Sequence, residues 1–257
     1  DRFPIRVDLT ASDIREVVGL RVLDKSDAGR RELEALVSPV KERLAANLRL
    51  ESDRRSDEFA TDDFVRLYPL LPYQVQLLID AVTQRRSQLR AGAPLGGSNR
   101  TIIQHAQQLL ANPRVGLASE DLGALVTLDR SYDLLIDVID SGLRHQIDQV
   151  VDDFGSASTE AQIMKVVALV HGVRSLPLTA QNLAVLLHPS VTAESRRAEI
   201  EESCARLVAA GWLRESEGSY QLQSTEQKQW DEKRQMDFRP GDEVRERRRI
   251  LGDELSA

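Results

Sequence analysis

The stretch that most invites a chemical reading is Gly92-Ala93-Pro94-Leu95-Gly96-Gly97-Ser98, which has the glycine spacing of a phosphate loop. It lacks a lysine between Gly97 and Ser98, and it comes after a helical pattern (Val75 to Leu89) rather than a strand. A working phosphate loop needs both the strand-to-helix turn and the lysine, so this loop is not a nucleotide cradle. The residues just after it are more informative. Ser98 or Asn99 can cap a helix that carries Arg100 in its first turn. Helix starts present unpaired N–H groups and a positive dipole end, which favour anions and disfavour an arginine. Two readings stand: Arg100, with Ser98 and Asn99, contacts a phosphate, or the helix is capped and its arginine solvated. Arg85, Arg86 and Arg90 are the bases that could extend such a patch, each otherwise a solvated helix face.

Other reactive residues form no constellation. The histidines His105, His145, His171 and His188 are scattered without metal-ligand spacing, so no metal site is expected. Cys204 falls on the apolar side of its helix and reads as core. Asp62-Asp63 and Asp152-Asp153 are adjacent acids suited to caps and solvated faces, not to a general acid/base pair. No catalytic residue is assigned.

The elements that must position these residues are mainly helical. Aromatics are 4% of the chain, so its core is built from Leu, Val, Ile and Ala. Residues 1–118 read as a helical, lid-like domain with a short strand at Ile5–Leu9. Its first helix, capped by Thr10 or Ser12, carries Ile14, Val17, Val18 and Leu20. Pro39 should kink or divide the next helical stretch, and Pro72 should open another. Residues 119–157 read as a connecting segment dominated by one long helix from about Ser131 to Phe154. Residues 224–257 form a charged tail, expected to be helical with a break at Pro240-Gly241.

The clearest local pattern is at 158–223. One helix carries Ile163, Val166, Val167 and Val170. Thr179 caps a second with Leu183, Leu186 and Leu187. A third runs from about Ala193 to Ala210 with Ile200, Cys204, Leu207 and Val208 inward. Trp212-Leu213 and Tyr220-Leu222 flank a turn at Glu217-Gly218-Ser219. Three short helices and a hairpin are the winged helix-turn-helix pattern. Its usual use is DNA binding through the third helix. The charges oppose that use: six bases (Lys165, Arg174, Arg196, Arg197, Arg206, Arg214) face seven acids (Glu160, Glu194, Glu199, Glu201, Glu202, Glu215, Glu217). Arg196, Arg197 and Arg214 are the candidate nucleic-acid contacts, and a protein-docking module is the other reading.

The net charge of −7 gives no general attraction to nucleic acid or anionic membranes, and no apolar run approaches the ~20 residues of a membrane span. A single cysteine cannot form an internal disulfide, so a reducing, cytoplasmic home is expected. The opening Asp1-Arg2-Phe3-Pro4-Ile5 reads like the middle of a domain, as in a fragment of a longer protein.

Asp1-Arg2-Phe3, a strand, a lid-like helix and later Gly97-Ser98-Asn99-Arg100 at a helix start resemble the end of an AAA+ ATPase module. Three segments look more specifically like the large P-loop ATPases of the BREX and Pgl phage-defence systems, the BrxC/PglY family. They are Asp1-Arg2-Phe3-Pro4 with Arg21-Val22-Leu23-Asp24-Lys25, Tyr68-Pro69-Leu70-Leu71-Pro72-Tyr73-Gln74, and Gly96-Gly97-Ser98-Asn99-Arg100. The resemblance implies a helical lid whose Arg100 matches the second-sensor arginine, with a winged helix after it. It implies ATP with Mg²⁺ in the full-length protein, and as partners copies of the same ATPase or other defence proteins. The phosphate loop, Mg²⁺-binding acid and first sensor of that family have no counterpart in these residues and would lie upstream.

Overall fold

The computed structural model describes residues 10–51, 60–89, 96–113, 115–173 and 175–223. The expected strand at Ile5–Leu9 and the charged tail lie outside them. Among the described residues the chain is mainly α-helical with one small antiparallel sheet, and no helix is long and apolar enough to cross a membrane.

The N-terminal helices obey their caps. In α1 (Ala11–Val17), Thr10 Oγ1 accepts from the Asp13 N–H while the Asp13 carboxylate accepts from the Thr10 N–H at 2.7 Å, a reciprocal capping box. A single π-helical turn, Val18–Val22, comes next. Gly19 lies there against Arg66, whose Cγ would be 3.0 Å from an added Cβ. Leu20, counted among the apolar residues of this helix, is 52% exposed, since six residues past Ile14 it falls about 120° round the helix from it. Helix α2 (Asp27–Val37) is capped by Ser26. Pro39 sits in a 3-10 turn that separates it from α3 (Lys41–Asn47). Beyond these lie α4 (Thr61–Leu67), α5 (Pro72–Leu89), which Pro72 opens, and α6 (Gly96–Ala111).

The single long helix expected from Ser131 to Phe154 is instead two. Helix α7 (Leu128–Leu134) ends in a 3-10 turn, Ile136–Val138, and α8 (Ser141–Phe154) begins after it. Asp140 makes the break: its Oδ1 accepts from the N–H groups of Gly142 at 2.8 Å and Leu143 at 3.4 Å. A carboxylate free to cap a helix start competes with helix continuation. Ile139 is buried from an extended conformation, while Ile136, placed on the same stripe by helical spacing, is 39% exposed.

Helices α9 (Thr159–Val170), α10 (Ala180–Leu186) and α11 (Arg197–Ala209) lead into strands β1 (Leu213–Ser216) and β2 (Ser219–Leu222). Ser158 and Thr179 cap the first two as their types predict. Helix α11 starts later than the expected Ala193, because residues 193–196 belong to the preceding loop. The strands pair with Leu213 opposite Leu222 and Ser216 opposite Ser219. Glu217 and Gly218 between them have φ of +52° and +73°, the two left-handed residues of a hairpin turn whose twist suits the strands.

Two apolar cores hold these elements. The larger runs from Ile14 through Val82, Ile102, Tyr132 and Val150 to Ile163, Leu183, Leu207 and Tyr220. It joins α1 and α5–α8 to α9–α11 without interruption. The smaller one comprises Leu33, Val37, Leu44, Leu48, Phe64, Val65, Leu71, Leu125, Val185 and Val191. It fixes α2–α4 to the outer side of α10 and the turn after it. Gly123, at φ +107°, lies at this second contact, where an added Cβ would stand 2.9 Å from Leu36 Cδ2.

Candidate functional site

Helix α6 starts at Gly96, so Ser98 and Asn99 lie within its first turn instead of capping it. The glycines before them take the terminal positions. Arg100 comes just after this turn and is exposed. The helix is anchored behind Arg100 by buried Ile102, Ala106 and Leu109. His105, also buried, places Nε2 3.1 Å from Ser131 Oγ on α7. Burial pushes the imidazole down to about 4, so it is neutral at physiological pH. Lys165 on α9 in turn pairs with Asp133 of α7 at 2.9 Å. Two separate polar bonds therefore tie α6 to α7 and α7 to α9.

Arg85 does not join Arg100 on a solvated face. It is buried, and its guanidinium donates to the Ala168 carbonyl of α9. The Arg86 side chain and Arg90 lie outside the described residues.

The three arginines singled out for nucleic acid are all engaged within their own module. Arg196 grips the Glu199 carboxylate with Nε at 2.8 Å and Nη2 at 2.7 Å, and also reaches Thr159 Oγ1 at 3.1 Å and Gln162 Oε1 at 3.2 Å. This pairing pulls the Glu199 carboxyl down to about 2. Arg197 pairs with Glu201 at 2.8 Å, and Arg214 donates to Gln221 Oε1 across the hairpin at 3.2 Å. Arg206 bridges buried Glu160 at 2.5 Å and Glu202 at 2.7 Å. A phosphate reaching α11 would have to displace carboxylates already in place, and Glu215 and Glu217 on the hairpin add negative charge.

Sequence reasoning missed three buried polar devices. One is His105 with Ser131. Another is Gln74, whose Oε1 accepts from the Leu71 N–H at 2.9 Å while Nε2 donates to the Val126 carbonyl at 2.8 Å. The third is Asn182 on α10. Its Oδ1 accepts from the Glu51 N–H at 2.7 Å, and its Nδ2 donates to the carbonyls of Glu51 at 2.6 Å and Pro177 at 2.7 Å. Each joins segments far apart in sequence, and no local spacing announces that. Cys204 is fully buried, and burial pushes its thiol up to about 12, which suits a core residue and not a nucleophile. Among the described residues no group of three or more His, Cys, Asp or Glu side chains is placed to hold a metal.

No family model matches the sequence. No solved structure matches it either.

Proposed function

We propose that this chain is a non-catalytic coupling unit: a helical lid carrying a winged-helix module, residues 158–223, that docks protein. The observation that carries the docking role is the neutralisation of Arg196, Arg197 and Arg206 by glutamates of the same module. The winged-helix reading is supported by the order α9-α10-α11-β1-β2. It is also supported by the Tyr220 N–H, which donates to the Leu178 carbonyl at 2.9 Å and brings the segment before α10 alongside β2.

The parent protein in this reading is an AAA+-type P-loop ATPase of the BREX/Pgl phage-defence kind, working in the cytoplasm. Support comes from the sequence resemblance and from the exposed Arg100 just past the first turn of α6. These residues suit contact with a phosphate but do not cradle a nucleotide, so ATP and Mg²⁺ would be held by the parent's core and only touched by Arg100. The bonds His105–Ser131 and Asp133–Lys165 offer a route from that helix to the docking module. The partners are copies of the same ATPase or other defence proteins.

Arg100→Ala in the full-length protein should lower ATP turnover or nucleotide-dependent assembly roughly tenfold or more, the scale of a lost charge-assisted hydrogen bond. Unchanged turnover and assembly would remove the phosphate-sensing role. A mobility-shift titration with duplex DNA tests the docking role. Binding that weakens steeply with salt and with Arg196→Ala plus Arg197→Ala would replace it by DNA recognition.

A further inference from the structure

The segment Arg49-Leu50-Glu51 lies along the first turn of α10, where Leu50 packs partly buried against both apolar cores and most of the polar bonds go to backbone. Asn182 pairs with both the N–H and the carbonyl of Glu51, as a neighbouring strand would. The Gln181 amide reaches the Arg49 carbonyl at 3.4 Å. The Glu51 carboxylate accepts from Thr179 Oγ1 at 2.7 Å. Helix α3, immediately before this strap, is fastened by a few more polar bonds to the turn after α10. Arg43 reaches Glu194 at 2.7 Å and the Thr192 carbonyl at 3.3 Å, and Asn47 reaches the Ala193 carbonyl at 3.5 Å.

These attachments differ from those on the other side of the module. There, α9, α10 and α11 share the large core with α5–α8. Here the apolar contacts of α3 and the strap are those of Leu44, Leu48 and the partly buried Leu50. The Arg43–Glu194 pair is 43% and 78% exposed, so solvent screens it. A seven-residue helix does not persist in water without its docking surface. Parts of a fold held by few apolar contacts and by replaceable polar bonds open ahead of the whole.

We propose that α3 and the strap form a clasp, pinned by Asn182, that opens as one unit while the rest of the molecule stays folded. Opening bares the side of α10 and of the turn after it that carries Val185 and Val191. The clasp thereby controls access to a face of the docking module distinct from α11 and the hairpin. This inference does not depend on the identity of the parent enzyme.

Amide hydrogen exchange on the full chain, wild type and Asn182→Ala, tests it. The reporters are the Glu51 N–H, bonded to Asn182, and the Leu48 N–H, bonded to the Leu44 carbonyl within α3. Removing the Asn182 amide leaves three backbone groups without their partner. Both reporters should then exchange roughly ten- to a hundredfold faster, with the Val166 and Val167 amides of α9 unchanged. Faster exchange at Glu51 alone would mean a single lost bond and no clasp. Equal acceleration in α9 would mean that the clasp and the module are one cooperative unit. Either result overturns the proposal. If Asn182→Ala does not fold, Arg43→Met with Asn47→Ala weakens the same unit from its other end. The same co-acceleration of Leu48 and Glu51, with α9 unchanged, is then expected, and its absence is decisive.

Discussion

The three-helix module from α9 to α11 is attached to the rest of the molecule in two contrasting ways. Toward α5–α8 the attachment is a continuation of the core: Ile163, Leu169 and Leu183 are as dry as any residue in the protein. Toward α2–α4 it is a narrow apolar strip flanked by bonds to carbonyls and by an exposed ion pair. The first attachment makes α5–α11 a single packing unit. The second covers one face of α10 with elements that, in the clasp proposal, open while the first attachment holds. An element can therefore be central to a fold on one side and conditional on the other.

The largest effect should come from the continuous side. Leu169→Ala removes a fully buried side chain from the large core and should lower the stability of the whole chain by about 2–5 kcal/mol in urea unfolding, in a single transition. A separate early transition for α9–α11 would break the comparison, because it would show that the module is not fused to α5–α8.

An acid titration sharpens the contrast from within the same core. His105 is held neutral by burial, with its pKa pushed from 6.5 down to about 4. Between those values the unfolded chain takes up a proton that the folded chain excludes. Stability is thus full above pH 6.5 and is lost as pH falls toward 4, by roughly 2–4 kcal/mol. His188, beside the turn that α3 contacts, is also shifted downward by burial, with Arg196 and Arg43 nearby, and so contributes with the same sign. Urea unfolding at pH 7 and pH 4.5 should show the loss, and His105→Gln should flatten it. An unchanged slope in that variant would assign the effect to other groups.

The smallest of these effects belongs to the conditional side. Gly123→Ala forces an L-residue to φ +107° and a Cβ to 2.9 Å from Leu36, which should cost about 1–3 kcal/mol. The damage should concentrate in α2–α4, read as faster proteolysis there at a temperature where α9 still resists. Uniform sensitivity along the chain would instead place both attachments on an equal footing.

Much of the framework was legible because it is local. Thr10, Ser158, Thr179, Pro39 and Pro72 act where a cap or a breaker should act, and the hairpin turn falls on Glu217-Gly218. The break between α7 and α8 was not, because the apolar stripe of a continuous helix survives it: Ile139 is buried from an extended backbone. The pairs Arg197–Glu201 and Arg206–Glu202 could be read from their four-residue spacing. The bond from Arg206 to Glu160 and that from His105 to Ser131 could not, since each closes a gap that only the tertiary fold sets. For Arg100 the sequence located an exposed arginine near a helix start, but it misplaced the start by the two glycines that begin the helix.

The Asn182 amide also governs what the chain is free to vary. Because it addresses the backbone of Glu51, and Gln181 that of Arg49, this part of the fit is indifferent to which side chains pass, while Leu50 still has to fill its place against both cores. The sequence constraint at this crossing is shared between one amide on α10 and an apolar side chain at position 50. The letter at 49 is comparatively free to drift as long as an extended chain still runs past that amide.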